Sequence, residues 1–427
     1  MSFDELGLSP DLARGVADRG YHSPTAIQEQ AIPLILDGRD LVAAAQTGTG
    51  KTAAFVLPVL QRLAFVGQAR AHQVRALVLV PTRELAEQVN ECAIAYAQHL
   101  TLQCSAIFGG VKIDPQLELM ERGVDLLVAT PGRLLDLLQR QAVDFSSLEV
   151  WVLDEADRML DMGFIPDIRK IAISLPKNRQ TLMFSATYSN EIVALAERYL
   201  DSPESVEVAP RNSATDQVEQ FAYSVERGQK ASLLVHLLRE HQWHQALVFT
   251  RTKHGANRLA CRIAKEGFKV APIHGNKSQN ARRRALQSFR DGELQVLVAT
   301  DIAARGLDIE FLPHVVNFDL PEVPEDYVHR IGRTGRAGAT GRAHTLVSSD
   351  DRSLMKAIER LLGRRLPQLV VPGFEPGRNR LASSSDGAHA GPAARRTDKP
   401  SNRRSAKRRT QRVSTAARLP ARADSNR

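Results

Sequence analysis

Arg75-Ala76-Leu77-Val78-Leu79-Val80-Pro81-Thr82-Arg83-Glu84-Leu85-Ala86 is an unbroken apolar run that stops at a proline and turns at once into a helix-like stretch. The same form recurs in DLVAAAQTG (40–48), VDLLVATPGRLLD (124–136), VWVLDEADRML (150–160) and QTLMFSAT (180–187). It continues in QALVFTRTK (245–253), VAPIHG (270–275), LQVLVATDIAARGLD (294–308) and HVVNFDLP (314–321). Continuous Val/Leu/Ile runs, rather than alternating ones, mark strands buried on both faces of a parallel sheet. Interleaved with helices, they make this an α/β chain.

Two of the runs repeat. Ala76-Leu77-Val78 returns as Ala246-Leu247-Val248, and Leu127-Val128-Ala129-Thr130 as Leu297-Val298-Ala299-Thr300, both at an offset of 170 residues. A shared offset predicts two copies of one sheet domain. The polar, Pro-containing stretch 201–216 reads as the connection, which puts domain one at 1–207, a linker at 208–216 and domain two at 217–375. Open α/β sheets bind ligands at the carboxyl ends of their strands, so the chemistry is expected just after each apolar run.

After the first run come Ala45-Gln46-Thr47-Gly48-Thr49-Gly50-Lys51-Thr52 and a helix-like stretch. A strict phosphate loop begins with glycine where this chain has Ala45, but the mechanics are intact. Gly48 and Gly50 allow positive φ and close backbone approach, and amides at a helix N-terminus point at phosphates. Lys51 reaches the β- and γ-phosphates, and Thr52 can ligate Mg²⁺. The run VWVLDEAD carries Asp154 and Glu155 out at a strand end, Asp154 to hold Mg²⁺ and Glu155 to orient and deprotonate an attacking water. Adjacent acids there can also cap a helix. The phosphate loop upstream favours the catalytic reading.

The 170-residue offset carries the phosphate loop onto TDQVEQFA (215–222), which has neither glycine nor lysine, so domain two is expected to lack a phosphate cradle. It carries HRIGRTGRAG (329–338) instead, with Arg333 and Arg336 beside Gly332 and Gly335. An arginine offered to a γ-phosphate from a second element is worth ~10³ to 10⁵ in rate.

Together these segments resemble the DEAD-box RNA helicases of superfamily 2 over residues 3 to 375. Residues 20–28, GYHSPTAIQ, with Phe3 upstream, are similar to the family's Q motif, which implies that Gln28 reads the adenine edge and Tyr21 lies at the nucleotide. AQTGTGKT resembles motif I, Ala45 included, DEAD (154–157) the name motif and SAT (185–187) motif III. PTRELA (81–86), Gly109-Gly110 and TPGR (130–133) resemble RNA-backbone contacts, which implies roles for Pro81, Thr82, Arg83, Gly109, Gly110, Thr130 and Arg133. LVFTRTK, His274-Gly275, Gln279-xx-Arg282, ATDIAARGLD and HRIGRTGR resemble motifs IV to VI. The resemblance implies that Arg305 and Asp308 join the nucleotide site, with Asp308 at the ribose, while Gly275, Arg282 and Thr300 face RNA. It implies two tandem RecA-like domains, ATP and Mg²⁺ as cofactors, and Ser185 and Thr187 hydroxyls relaying closure through Asp157. MSFDELGLSP, TKHGAN, HGNKSQ, VPGFEP and Asn276 are most similar to the bacterial RhlE-type branch.

A length of 427 residues predicts two or three domains, and 43% hydrophobic with 25% charged residues is ordinary globular usage. The formal charge of +9 is uneven. Residues 376–427 hold 14 Lys+Arg and 3 Asp+Glu, which leaves 43 against 45, a net of −2, for residues 1–375. This segment has no aromatics and few aliphatics, and is expected to be a disordered basic tail that meets a polyanion or simply solubilises the chain. Cys92, Cys104 and Cys261 form no CxxC pair, so neither a disulfide framework nor a zinc site is suggested. No apolar run approaches a membrane span, and a cytoplasmic monomer is expected.

The expected function is RNA-stimulated ATP hydrolysis coupled to local, sequence-independent unwinding of short RNA duplexes. Ribosome assembly or RNA turnover are the settings the resemblance implies, with ribosomal precursors or degradation machinery as partners. An ATP-gated RNA clamp, or assembly platform, would carry the same motifs. A DNA-directed motor is opposed by the DEAD spelling, the Q motif and the lack of an added DNA-binding domain.

Overall fold

A computed structural model describes residues 2–45, 48–65, 67–208, 218–304, 312–334 and 341–375. Lobe one runs through α1 (Pro10–Ala17), α2 (Ala26–Leu36), β1 (Leu41–Ala45), α3 (Lys51–Ala64), β2 (Val74–Leu79), α4 (Arg83–Tyr96), β3 (Cys104–Ile107) and α5 (Asp114–Arg122). It continues with β4 (Val124–Ala129), α6 (Pro131–Gln139), β5 (Val150–Leu153), α7 (Ala156–Asp161), α8 (Ile165–Ile173), β6 (Gln180–Ser185), α9 (Asn190–Tyr199) and β7 (Glu204–Val208). Lobe two follows with β8 (Val218–Ser224), α10 (Lys230–Glu240), β9 (Ala246–Phe249), α11 (Lys253–Lys265), β10 (Val270–Ile273) and α12 (Gln279–Arg290). Then come β11 (Val296–Ala299), α13 (Asp301–Ala304), β12 (His314–Asn317), α14 (Pro324–Ile331), β13 (Gly341–Val347), α15 (Arg352–Leu362) and β14 (Gln368–Leu369).

Among the described residues each lobe has a seven-stranded, all-parallel sheet, ordered β3-β4-β2-β5-β6-β1-β7 and β10-β11-β9-β12-β13-β8-β14. Adding seven to each strand number of the first order produces the second, so the lobes are two copies of one topology. The repeated tripeptides occupy matching registers: Leu77 lies opposite Leu127, and Leu247 opposite Leu297. Successive residues of each run point to opposite faces. Ala76 and Val78 therefore enter one core with Phe55 and Leu85, while Leu77 and Leu79 enter another with Leu134 and Ile168.

Two expectations change. The stretch read as linker from residue 201 begins as sheet, because Glu204–Val208 alternates polar with apolar and pairs along β1 as an edge strand. Residues 209–217 lie outside the described residues, as does the tail from 376 on. The offset of 170 also misplaces the phosphate-loop counterpart, since 218–222 belongs to β8, the equivalent of β1. The true counterpart is Val225–Lys230, which does contain a glycine and a lysine. The offset drifts because the connection from first to second strand is shorter in lobe two. No helix among the described residues is long and apolar enough to cross a membrane.

Lobe two also encloses a histidine cluster. Trp243 packs on the rings of His314 and His344, each at 4.4 Å between centroids. The two imidazoles meet at 3.3 Å, and the Tyr223 hydroxyl is 3.3 Å from His344 Nδ1. Burial first, then neighbouring His314, His241 and Arg342, pushes His344 down to about 3, and burial pushes His314 down to about 4. An unfolded chain takes up a proton at His344 near pH 6.5, whereas the folded one waits until far lower pH. Stability is therefore complete above pH 6.5 and falls with acidification, by about 2 kcal/mol from His344 alone at pH 5. In a Trp151→Phe protein Trp243 is the one remaining indole. Urea unfolding followed by its fluorescence should show this slope, and adding His344→Gln should flatten it.

Candidate active site

β1 ends into the phosphate loop, where Gly48 (φ +88°) and Gly50 (φ +91°) adopt the left-handed backbone and Gly50 caps α3. Lys51 and Thr52 open that helix; Gln46 and Thr47 lie outside the described residues. Lys51 is only 6% exposed, and its ammonium has no hydrogen-bond partner among the described residues. In lobe two, Lys230 opens α10 at the matching position, also buried, but its ammonium donates to Asp351 Oδ2 at 2.7 Å and to the Phe318 carbonyl at 3.1 Å. One lysine is neutralised from within the fold. The other keeps its donors open to an anion, because a buried ammonium without hydrogen bonds is costly.

β5 delivers Asp154 and Glu155 next to Lys51. Burial pushes Asp154 up to about 7, with Lys51 opposing and Glu155 adding to the shift. Asp154 Oδ1 accepts from the Glu155 amide at 2.9 Å. Glu155 has φ +52°, rare for a residue with a side chain, and forms the sharp corner into α7. Such strain persists where the surroundings over-determine it, typically at functional sites. A buried lysine opening a helix behind two left-handed glycines, with a buried carboxylate beside it, suits a polyphosphate with its divalent cation.

Gln28 ties the preceding segment to this loop. Its amide donates to the Gly50 carbonyl at 3.1 Å and accepts from the Thr25 amide at 2.9 Å, capping α2. Tyr21, five residues before α2, is about half exposed. The expected hydroxyl contacts of Ser185 and Thr187 with Asp157 are replaced by a backbone one. The Ala186 amide donates to Asp157 Oδ2 at 3.2 Å, while the Ser185 hydroxyl accepts from the Thr187 amide at 3.2 Å. A strand end turning into a loop presents its amides outward, and the carboxylate takes the nearest.

Loops after β2, β3 and β4 line the same edge of lobe one. Pro81 ends β2, Thr82 caps α4 by accepting from the Leu85 amide, and the Arg83 side chain lies across Gly109 and Gly110. A Cβ on Gly110, at φ +77°, would collide with the Arg83 guanidinium. Thr130 caps α6. Arg133, expected at RNA, is engaged by the fold, donating to Gln116 at 2.9 Å and to the Val111 carbonyl at 3.0 Å. It holds the segment that follows Gly110. In lobe two Gly275 follows β10 and Thr300 follows β11, at the corresponding edge.

Among the described residues, side chains of the two lobes meet at two places. Beside Asp154–Asp157, Arg158 of α7 bonds Asp326 of α14 at 2.8 Å. A small pocket there also takes in Asp301, Arg330 and the nearly buried Arg333. Sequence reading passed over Arg330. Its guanidinium grips Asp301 twice (2.6 and 2.7 Å), Asn317 and the Asp319 carbonyl, and stacks over Phe249, fixing α14 and the Arg333 that follows. The signal was present in the spacing, since Arg330 sits three residues before Arg333 on a helix. Arg305, Asp308 and Arg336 lie outside the described residues. At the second meeting point Arg282, expected to face RNA, pairs with the buried Glu84 of α4 at 2.8 Å, and Gln279 donates to the same carboxylate at 3.0 Å.

Residues 25–195 match the DEAD/DEAH box helicase family, and residues 229–338 match the helicase conserved C-terminal domain. The chain is 43% identical over 370 residues to the ATP-dependent RNA helicase RhlB of Pseudomonas syringae pv. tomato, covering 85% of this chain and 93% of that protein. It is 45% identical over 372 residues to the RNA helicase CrhR of Synechocystis sp., covering 87% and 75%. Its structure is similar to S. cerevisiae Dbp5 bound to RNA and ADP BeF3, with a TM-score of 0.77 at 32% identity, covering 86% of this chain and 95% of that one.

Gly50 offers a direct test of the loop geometry. A Cβ there would run into the Gln28 amide and meet Thr25 Oγ1 at 3.1 Å, on a backbone that disfavours any side chain. Gly50→Ala should cost lobe one about 1–3 kcal/mol. Urea unfolding followed by Trp151 fluorescence in a Trp243→Phe background measures it.

Proposed function

The chain belongs to the DEAD/DEAH box helicase family and is an ATP-dependent RNA helicase, and from that premise we propose how its residues divide the work. The observation that carries the reading is the buried Lys51 ammonium beside Asp154, which has no hydrogen-bond partner among the described residues, whereas Lys230 is satisfied. ATP is held by the amides of Gly48 to Thr52, with Lys51 on its β- and γ-phosphates and Gln28 on the adenine edge, while Tyr21 flanks the nucleotide. Thr52 and Asp154 are the residues that would hold Mg²⁺, which when bound neutralises phosphate charge. Glu155 orients the attacking water and takes its proton. Arg333 brings positive charge from lobe two, with Arg336, Arg305 and Asp308 as further participants suggested by sequence.

Arg83, Gly109, Gly110, Thr130, Gly275 and Thr300 lie at strand ends of both lobes and grip one RNA strand through its backbone. Phosphate contacts position without reading sequence, so preference among sequences should be slight. Arg133 and Arg282 support this surface from behind, since both guanidinia are engaged within the protein. ATP and RNA each contact both lobes only when the cleft is closed, and each therefore favours closure. Bending the gripped strand expels its partner, and hydrolysis reopens the cleft. The flanking sequences favour an RhlE-type place within the family, in the cytoplasm, acting in ribosome assembly or RNA turnover. The basic tail acts as a tether that raises local RNA concentration.

With ATP, the protein should free the strands of a short blunt RNA duplex in a gel assay. Lys51→Ala should lower RNA-stimulated phosphate release by about 10²-fold or more and abolish strand release. An ATPase that hydrolyses without freeing strands would be a clamp. Removing residues 376–427 should weaken RNA binding and flatten the slope of log affinity against log salt, while turnover at saturating RNA is kept. A titration at several salt concentrations reads both.

A further inference from the structure

We propose that Arg283 is a positioning residue that couples closure of the two lobes to the strand-gripping surface of lobe one; this rests on the RNA-binding reading above. Arg283 projects from α12 of lobe two. Its Nε donates to both Glu87 oxygens, at 2.9 and 3.0 Å, and its Nη2 to Oε1 as well, so the carboxylate is held by two nitrogens of the fork. The same guanidinium lies 6.0 Å from the ring centroid of Phe108.

Both partners belong to lobe one, and both adjoin the gripping surface. Glu87 is one turn along α4 from Arg83, and Phe108 immediately precedes the Gly109-Gly110 pair across which Arg83 lies. Arg283 thus touches, from the other lobe, the two segments whose mutual placement sets where Arg83 and the two glycines sit. It completes a ladder along the α4–α12 contact that begins with Glu84, Gln279 and Arg282 and borders a cleft of about 620 Å³. Glu91, further along α4, adds to the attraction.

An exposed ion pair within one rigid body contributes little. This pair differs in three respects: it is bidentate, Glu87 is only 18% exposed, and it joins bodies that separate when the cleft opens. Its whole free energy therefore falls on the closed state and none on the stability of either lobe.

The test is a charge-reversal cycle of Glu87→Arg, Arg283→Glu and both together. Each single reversal should raise the RNA concentration giving half-maximal ATPase about tenfold, with the rate at saturating RNA and the ATP KM nearly kept. The double reversal should return within about threefold of the parent. Unfolding of either lobe, followed at Trp151 and Trp243, should not move. Dyes on the exposed Cys261 and on Ile173→Cys report lobe separation directly. With RNA and a non-hydrolysable ATP analogue, the closed fraction should drop in the singles and recover in the double. Singles that close like the parent, or a double whose losses add, would overturn the proposal. A parent protein without RNA-stimulated hydrolysis would instead refute the functional reading, while the dye measurement still decides the clasp.

Discussion

Parallel strands cannot be joined by hairpins, and each must be followed by a crossover that returns the chain to the same starting edge. Every strand of a lobe therefore ends on one side, and whatever follows a strand is delivered there. This constraint gathers the phosphate loop after β1, Pro81-Thr82-Arg83 after β2, Gly109-Gly110 after β3, Thr130 after β4, the two acids after β5 and Ser185–Thr187 after β6. The helices that make the crossovers cover both faces, which is why most central strands are largely apolar. Chemistry and core thus come from the same connection rule.

The two lobes share that rule and differ by electrostatics at one position. Lys51 and Lys230 open equivalent helices, but Asp351 and the Phe318 carbonyl occupy the ammonium of Lys230. A lysine so paired contributes to the fold of its own lobe and has nothing left for a ligand. Lobe two offers arginines instead, and Arg330 holds α14 so that Arg333 lies against the segment after Asp157. On the proposed reading, a divided site of this kind is complete only when the lobes meet, and the α7–α14 and α4–α12 contacts then serve function as well as stability.

Strands that the sequence revealed least were those carrying polar residues. β8 and β13 lie inside the sheet, yet read poorly because Gln220, Glu219, His344 and Arg342 interrupt the apolar pattern. The fold accepts them because they satisfy one another or nearby groups: Arg342 meets Glu219, Gln220 meets the Tyr327 hydroxyl, and His344 meets Tyr223. β3 and β7 are lightly covered edge strands with weak patterns, and β14 is only two residues long. The fixed offset worked where repeated strands keep a common register and failed at the phosphate loop, because the stretch from that loop to the second strand is shorter in lobe two. Similarly, Ser185 and Thr187 looked like ligands of Asp157 because their hydroxyls are the visible polar groups, while the amide that makes the contact belongs to Ala186 and leaves no trace in residue type.

What residue type and order determined by themselves was the class of fold, its duplication, the edge at which chemistry collects and most of the groups gathered there. These follow from local rules: apolar runs must be buried, glycine permits positive φ, and a strand end is followed by whatever comes next in the chain. What tertiary structure alone decided was which charges are spent on the protein itself. Arg133 and Arg282 resemble ligand-binding residues in the sequence, and Arg330 and Lys230 draw no notice there, yet each of the four is engaged by a partner elsewhere in the chain. Lys51 is not. Pairing depends on distances between elements that only packing brings together, and so the availability of a charge, unlike its presence, is a property of the fold.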